Sequence, residues 1–276
     1  TLNGTISGSS NGNIGVYFGS GTQTVNANVT GTSQSNSALF FGAGNQAING
    51  NVSGATNNSA SFGAVQFNNG NQTITGTVTG SALSGNAGVN FGGGNTTVVG
   101  LVQGTSVGLT GVWFTGGNQS INGTISGVST NGFGTQTNGG VQNLTGVIGG
   151  TSTSATGLML NGGTQNFNNA NVTGLTSTSN SNFQGLRIGS STVTVTGNVT
   201  LSGSAAAGTM AVQQTGGSIT GTGNLLIQAN QNSNISNVSL SGSGSSFLMN
   251  VSSGNLTLDG NISSGGGITL MAGSAQ

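Results

Sequence analysis

The chain has no proline, no cysteine and no histidine, and among its 276 residues it carries one basic side chain, Arg187, and one acidic side chain, Asp259. Each absence closes a class of function. Without cysteine no disulfide holds the fold, which must rest on packing and backbone hydrogen bonds. Phosphate backbones and anionic lipid surfaces are gripped by clustered Lys and Arg, so neither nucleic acid nor a charged membrane surface is an expected partner. Metal sites draw on His, Cys or several carboxylates, and calcium-binding nonapeptide repeats need an Asp in every repeat; no metal or cofactor is expected. General acid–base chemistry needs paired groups, and Arg187 and Asp259 fall in different repeats, so no enzyme is expected. Apolar runs such as Ala38-Leu39-Phe40-Phe41 are far below the ~20 residues of a membrane span, which argues against insertion. No signal peptide is visible, and a chain that begins at Thr1 is expected to be a processed or trimmed form.

What the chain has in abundance is glycine, 56 residues of it. High Gly, Ser and Asn with little charge also suits disorder. Here, however, Val, Ile, Leu and Phe recur in register. The segment Ala47-Ile48-Asn49-Gly50-Asn51-Val52-Ser53-Gly54 returns as Thr73-Ile74-Thr75-Gly76-Thr77-Val78-Thr79-Gly80 and as Ser120-Ile121-Asn122-Gly123-Thr124-Ile125-Ser126-Gly127. Looser copies hold Gly4, Ala27, Gly100, Gly146, Gly197 and Gly221 at the middle position. A second motif precedes each copy: Gly15-Val16-Tyr17-Phe18, Ala38-Leu39-Phe40-Phe41, Ala64-Val65-Gln66-Phe67, Gly88-Val89-Asn90-Phe91 and Gly111-Val112-Trp113-Phe114, then aliphatic versions such as Leu158-Met159-Leu160 and Leu186-Arg187-Ile188. Both motifs alternate with period two, the mark of strands, and no window carries helical spacing.

One repeat of about 23 residues offers roughly four inward apolar side chains worth ~1.5–3 kcal/mol each, against ~1–2 kcal/mol of backbone ordering per residue. It cannot fold alone, but stacked repeats share strand pairing and a continuous core. The sequence therefore predicts an all-β fold, a parallel β-helix or β-solenoid of roughly 10–12 coils, about 50–60 Å long at ~4.8 Å per rung. Residues 1–203 read as regular coils and 204–276 as the same solenoid with less regular ones. Three inward columns are expected. The first runs Leu2, Val25, Ile48, Ile74, Val98, Ile121, Leu144, Phe167, Val195, Ile219, and the second Ile6, Val29, Val52, Val78, Val102, Ile125, Ile148, Val172, Val199. The third is an aromatic stack of Phe18, Phe41, Phe67, Phe91 and Phe114. The mid-motif glycines are expected to point inward, where a side chain would crowd the core. Outward Asn, Ser and Thr, repeated at rung spacing, are expected to form amide and hydroxyl ladders.

The Gly/Asn/Thr-rich coils, with Asn255-Leu256-Thr257-Leu258-Asp259-Gly260-Asn261-Ile262 and Gly267-Ile268-Thr269-Leu270-Met271-Ala272-Gly273 near the end, resemble the repeat regions of large secreted bacterial adhesins of the filamentous-haemagglutinin-like and autotransporter-passenger group. That resemblance implies a right-handed parallel β-helix, export across the outer membrane to the bacterial surface or the extracellular space, and a role in adhesion or biofilm.

Tyr17, Phe40, Trp113, Met159 and Arg187 share the outward slot of the second motif, interrupted by Gln66, Asn90 and Gln136. This stripe is the candidate contact surface, for glycans, cell surfaces or a neighbouring rod, set against the plainer reading of scattered exposed residues. Asn-x-Ser/Thr sequons, for example Asn28-Val29-Thr30 and Asn198-Val199-Thr200, follow automatically from alternating outward Asn and Thr. The runs Thr73-Ile74-Thr75-Gly76-Thr77 and Thr192-Val193-Thr194-Val195-Thr196 raise ice binding as a minor alternative. Two functional expectations result. One is a self-stacking subunit of a surface fibre or biofilm-matrix filament, joined head to tail or bundled laterally with copies of itself. The other is an adhesin stalk segment of a larger secreted protein. Near-zero net charge and the lack of charged capping segments favour the first.

Overall fold

The structure, a computed structural model, describes residues 1–57, 63–85 and 87–273. Among these residues there is no helix; 29 strands pair in parallel throughout. They wind into a β-solenoid of about twelve coils set roughly 23 residues apart. Each regular coil supplies three strands, exemplified by Asn45–Asn49 on face 1, Val52–Thr56 on face 2 and Val65–Phe67 on face 3. A parallel ladder needs a crossover between rungs. Here the other two faces of the coil provide it, so every strand pairs with its counterpart one coil away.

Period-two alternation fixes what points inward. On face 1, Val25, Ile48, Ile74, Val98, Ile121, Leu144 and Phe167 stack rung on rung, and on face 2 the column from Val29 through Val52, Val78 and Ile125 to Val172 does the same. All of these are buried. Phe18, Phe41, Phe67, Phe91 and Phe114 line face 3 with ring centroids 4.8–5.0 Å apart and interplanar angles of 3° to 16°. Rung spacing dictates this offset-stacked geometry, which adds to the burial of each ring.

Two column assignments change. Ile219 stacks on Val193, not Val195, and Leu201 rather than Val199 continues the column above Val172. For Val199 the cause lies at the corner between faces 1 and 2. Through Gly146 that corner is a single residue, the next coil adds Asn169 at φ 48, and the coil after it adds another around Gly197-Asn198, so that Leu201 follows Val195 by six positions where Ile148 follows Leu144 by four. Residues added at a corner leave the alternation within each strand intact while moving the pairing, so alternation alone cannot detect them. Ile219 moves on face 1 itself, where Gly221 rather than Ile219 stacks on Val195.

The mid-motif glycines also play a different part. Gly76, Gly100 and Gly123 take φ of +142 to +149, and a Cβ on any of them would overlap the backbone of the corner one coil below. Glycine is needed for a left-handed corner with closely stacked peptides, not for room in the core. The glycines that do face inward lie two residues past the second column: Gly31, Gly54, Gly80, Gly104, Gly127, Gly150 and Gly174. A Cβ on Gly54 would press on Ala64 O and Val65 Cγ2 at 2.8 Å. This column lets the backbone of face 2 settle against the start of face 3.

Beyond residue 203 the ladders continue to Ile268–Ala272. One corner disappears there. The single strand Ser233–Leu240 pairs with both Met210–Gln214 and Ser218–Gly221, and Asn237 at φ 50 stands where Thr215-Gly216-Gly217 turned the chain one coil earlier. In the first and last coils the strands have a partner on one side only, and Leu2, Leu258 and Ile268 are exposed there.

Candidate functional site

Face 3 carries the predicted stripe. Its middle row runs Tyr17, Phe40, Gln66, Asn90, Trp113, Gln136, Met159, Arg187 and Gln213 in unbroken register. The row is aligned as expected, but it is not an open surface. Tyr17 is 62% exposed; Phe40, Trp113 and Arg187 are half-buried; Gln66, Asn90, Gln136 and Met159 are buried. Long side chains one rung apart cover one another, and Tyr17 is open because it lies in the first coil, with Phe40 on one side only, ring centroids 5.5 Å apart. The Gly63 N–H also donates to Gln66 Oε1 at 3.3 Å, drawing that side chain inward. Trp113 Nε1 lies 3.1 Å from the Asn138 amide oxygen in the orientation that satisfies both groups. Met159 is therefore a packed residue, not part of a contact stripe.

Arg187 sits in Gln184–Ile188, a strand paired on both sides, and its Nε is buried without a hydrogen-bond partner. Asp259 lies in Leu256–Ser264, three rungs further along, or about 15 Å at ~4.8 Å per rung. The two charges are not brought together. Among the described residues no group of three metal-ligating acidic, His or Cys side chains converges, and no helix is long and apolar enough to cross a membrane. The threonine runs do not build a regular array across coils: Thr75 is flanked by Asn49 and Val99, and Thr73 by Ala47 and Thr97.

The amide ladders are present on the outside. Asn71, Asn95 and Asn118 each donate from Nδ2 to the Asn one coil below, at 2.8–3.0 Å, beginning at Asn45. Asn49 donates to Asn26 and Asn26 to Asn3 in a second row. A third amide row lies inside, and the sequence reading missed it. Gln46, Gln72, Gln119, Gln142 and Gln165 are buried two residues ahead of the first apolar column. Gln46 Nε2 donates to Gln23 Oε1 at 3.0 Å, Gln72 to Gln46 at 3.1 Å and Gln142 to Gln119 at 3.0 Å. Gln119, Gln142 and Gln165 also donate to the carbonyl three residues earlier, which closes the preceding turn. Repetition thus gives these amides most of their partners, while Gln142 Oε1 and Gln165 Oε1 are buried without one. Parity relative to Ile48 or Ile121 was the signal that would have revealed it. The same holds for Ser33, Ser129, Ser152 and Thr176, buried at the end of face 2. Their hydroxyls donate to Asn13, Leu109, Gly132 and Ala155 carbonyls at 2.6–2.8 Å.

Face 2 is the surface these devices leave open. Its outward rows contain small hydroxyl residues such as Ser53, Thr79 and Ser81, with no charged or aromatic side chain. Three shallow grooves lie along it, each lined by the inner glycines: beside Gly8 and Gly31 with Ser7 and Thr30, beside Gly54 and Gly80 with Ser53 and Thr79, and beside Gly203 with Thr173 and Ser202. Compared with known proteins, the chain matches no family model, no curated protein and no solved structure. The fold is that of a β-solenoid, and the arguments for what it does rest on its surfaces.

Proposed function

We propose that this chain is an extracellular structural protein, a self-stacking β-solenoid subunit that forms the shaft of a bacterial surface fibre or biofilm-matrix filament. The observation that carries this reading is the stacking of like on like. Gln lies on Gln, Asn on Asn and Phe on Phe over successive coils, under a surface that is polar but almost without charge. Such an architecture lengthens by adding rungs, and nearest-neighbour contacts supply its stability. The scarcity of charge removes repulsion between neighbouring rods. Non-catalytic use is consistent with Arg187 and Asp259 standing about 15 Å apart, by rung count.

The second reading is a stalk segment of a larger secreted adhesin that presents a glycan- or cell-binding region. The half-buried Phe40 and Trp113 rings in the outward row of face 3 favour it, because aromatic rings with an open side pack on sugars. Negative-stain microscopy of the purified chain, with light scattering, separates the two. Filaments one rod wide and many times longer than about 55 Å (twelve rungs at ~4.8 Å) support the subunit. A monodisperse single rod that never elongates with concentration removes it and leaves the stalk.

A further inference from the structure

The outward row of face 3 continues past Arg187 to Gln213 and Asn234, one residue per rung. All three side chains are half-buried, and each holds hydrogen-bonding capacity that the protein does not use. Arg187 Nε is buried without an acceptor, and among the described residues nothing accepts a hydrogen bond from the two outer guanidinium nitrogens, which reach solvent. The one acidic side chain, Asp259, stands three rungs away, beyond a Debye length at physiological salt, and does not offset the charge. Two rungs from Arg187, or about 10 Å, Asn234 Oδ1 is likewise buried without a partner. Between them Gln213 Nε2 lies 3.2 Å from Met210 Sδ, which leaves Gln213 Oε1 free. A half-buried cation without a counter-ion is unfavourable, and this one stands in a chain that otherwise carries almost no charge. Nothing in the fold asks for it: the same slot holds Gln66, Gln136 and Gln213 in other coils.

We infer that Arg187, Gln213 and Asn234 form a binding site for an acidic glycan, with the carboxylate of a uronic acid unit on Arg187 and sugar hydroxyls on the two amides. A planar guanidinium with both outer nitrogens open takes the two oxygens of one carboxylate side by side. A hydroxyl both donates and accepts, so one ligand serves amide oxygens and amide N–H groups along the row. Other anionic partners fit less well. Nucleic acid and anionic membranes are gripped by clustered Lys and Arg, and here there is a single cation. A peptide has no edge to join as an added strand, because Gln184–Ile188 and Met210–Gln214 each have a partner on both sides. The site goes beyond the fibre reading: it needs only the folded rod, whether single or assembled.

The test titrates the full chain with trigalacturonate, with neutral maltotriose and with acetate, by isothermal calorimetry in about 20 mM salt. Arg187→Gln puts in this slot the residue that other coils already carry there, so the fold is kept, which circular dichroism and melting check. Arg187→Lys keeps the charge and loses the planar fork. The expected result is saturable binding of trigalacturonate, weakened at least about tenfold by R187Q, as for loss of a hydrogen bond between charged groups, and less strongly by R187K. Raising the salt to about 200 mM should weaken it too, because the guanidinium is partly open to solvent. Maltotriose should bind the parent at least about tenfold more weakly than trigalacturonate. No binding of trigalacturonate up to about 10 mM, or binding that R187Q leaves unchanged, overturns the inference. Acetate bound as tightly as trigalacturonate overturns the glycan assignment, since Gln213 and Asn234 would then contribute nothing. Filaments that form without binding trigalacturonate overturn this site and leave the shaft reading standing; R187-dependent binding by rods that never assemble supports the site while the shaft reading fails.

Discussion

Earlier and later coils solve the same packing problem with different side chains, and each inward row changes at its own point along the rod. In the earlier coils the row ahead of the first apolar column is glutamine, from Gln23 to Gln165 with one Thr96, and in the later ones it is Val193, Ile219 and Val238. The inner row of face 3 is phenylalanine from Phe18 to Phe114, then Thr137, Leu160, Ile188 and Gln214. Backbone pairing is indifferent to the exchange, because it sees only rung spacing. The side chains are not. An apolar row can end anywhere, since its last member simply packs against the next residue. A polar row or a row boundary leaves something over: Gln165 Oε1, where the amide row meets Val193, and Thr137 Oγ1, where the phenylalanine row stops, are both buried without a partner. Gln142 Oε1 is also buried without a partner although Gln119 and Gln165 flank it, so repetition reduces the unmet polar groups without removing them, inside a row as well as at its seams.

The comparison can be broken most forcefully in the aromatic row. Phe67→Ala removes a fully buried ring held between neighbours at 4.8 and 5.0 Å, and about 3–5 kcal/mol of unfolding free energy should be lost. Ile188→Ala, in the same row beyond the seam, should lose less, about 2–3 kcal/mol, because no ring stack is interrupted. Equal losses in denaturant titrations would mean that stacking adds nothing to burial. Next comes Gln142→Ala, which strips Gln119 Oε1 of its donor and opens a buried gap, with an expected loss of about 2–3 kcal/mol. Gly123→Ala, which forces a Cβ into a corner at φ +149 against the corner below, should cost about 1–3 kcal/mol. Thr137→Val should run the other way, raising stability by about 1 kcal/mol by removing an orphaned hydroxyl at the seam. A loss there would show that the hydroxyl has a partner in solution. The smallest effect is expected from pH. Stability changes with pH only as the folded and unfolded chains differ in bound protons. With one Asp, one Arg and no Glu, His, Lys or Cys, little can differ, so melting temperature should stay nearly flat from about pH 5 to pH 9.

Much of this was legible in the primary structure, for reasons that also explain what was not. Ile48, Ile74 and Ile121 recur at strand parity on a spacing that only stacking can use, so the solenoid and most of its core columns could be read directly. The outward Asn ladder could be read the same way. The inner Gln row escaped because a polar residue is expected outside, although Gln46 and Ile48 share parity. The misplaced Val199 traces to one residue added at the same corner in each of two successive coils, where chain length changes without any change in pattern, and Ile219 was misplaced because Ile219-Thr220-Gly221 copies the spacing of Ile121-Asn122-Gly123 while Gly221 is the residue that stacks on Val195. The stripe from Tyr17 to Arg187 was aligned correctly but misjudged in exposure, because cover for Met159 comes from the rungs above and below rather than from its own strand.

Arg187 has one more consequence. It is the sole basic residue, held in a strand with a partner on each flank. A digestive enzyme that cuts after Lys or Arg must bind its target as a free extended segment, and here the single scissile peptide is already engaged in a sheet. The folded rod should pass through trypsin whole, whereas the melted chain should fall into two pieces split after Arg187. In the extracellular role proposed above, a lack of basic residues would itself be a form of armour.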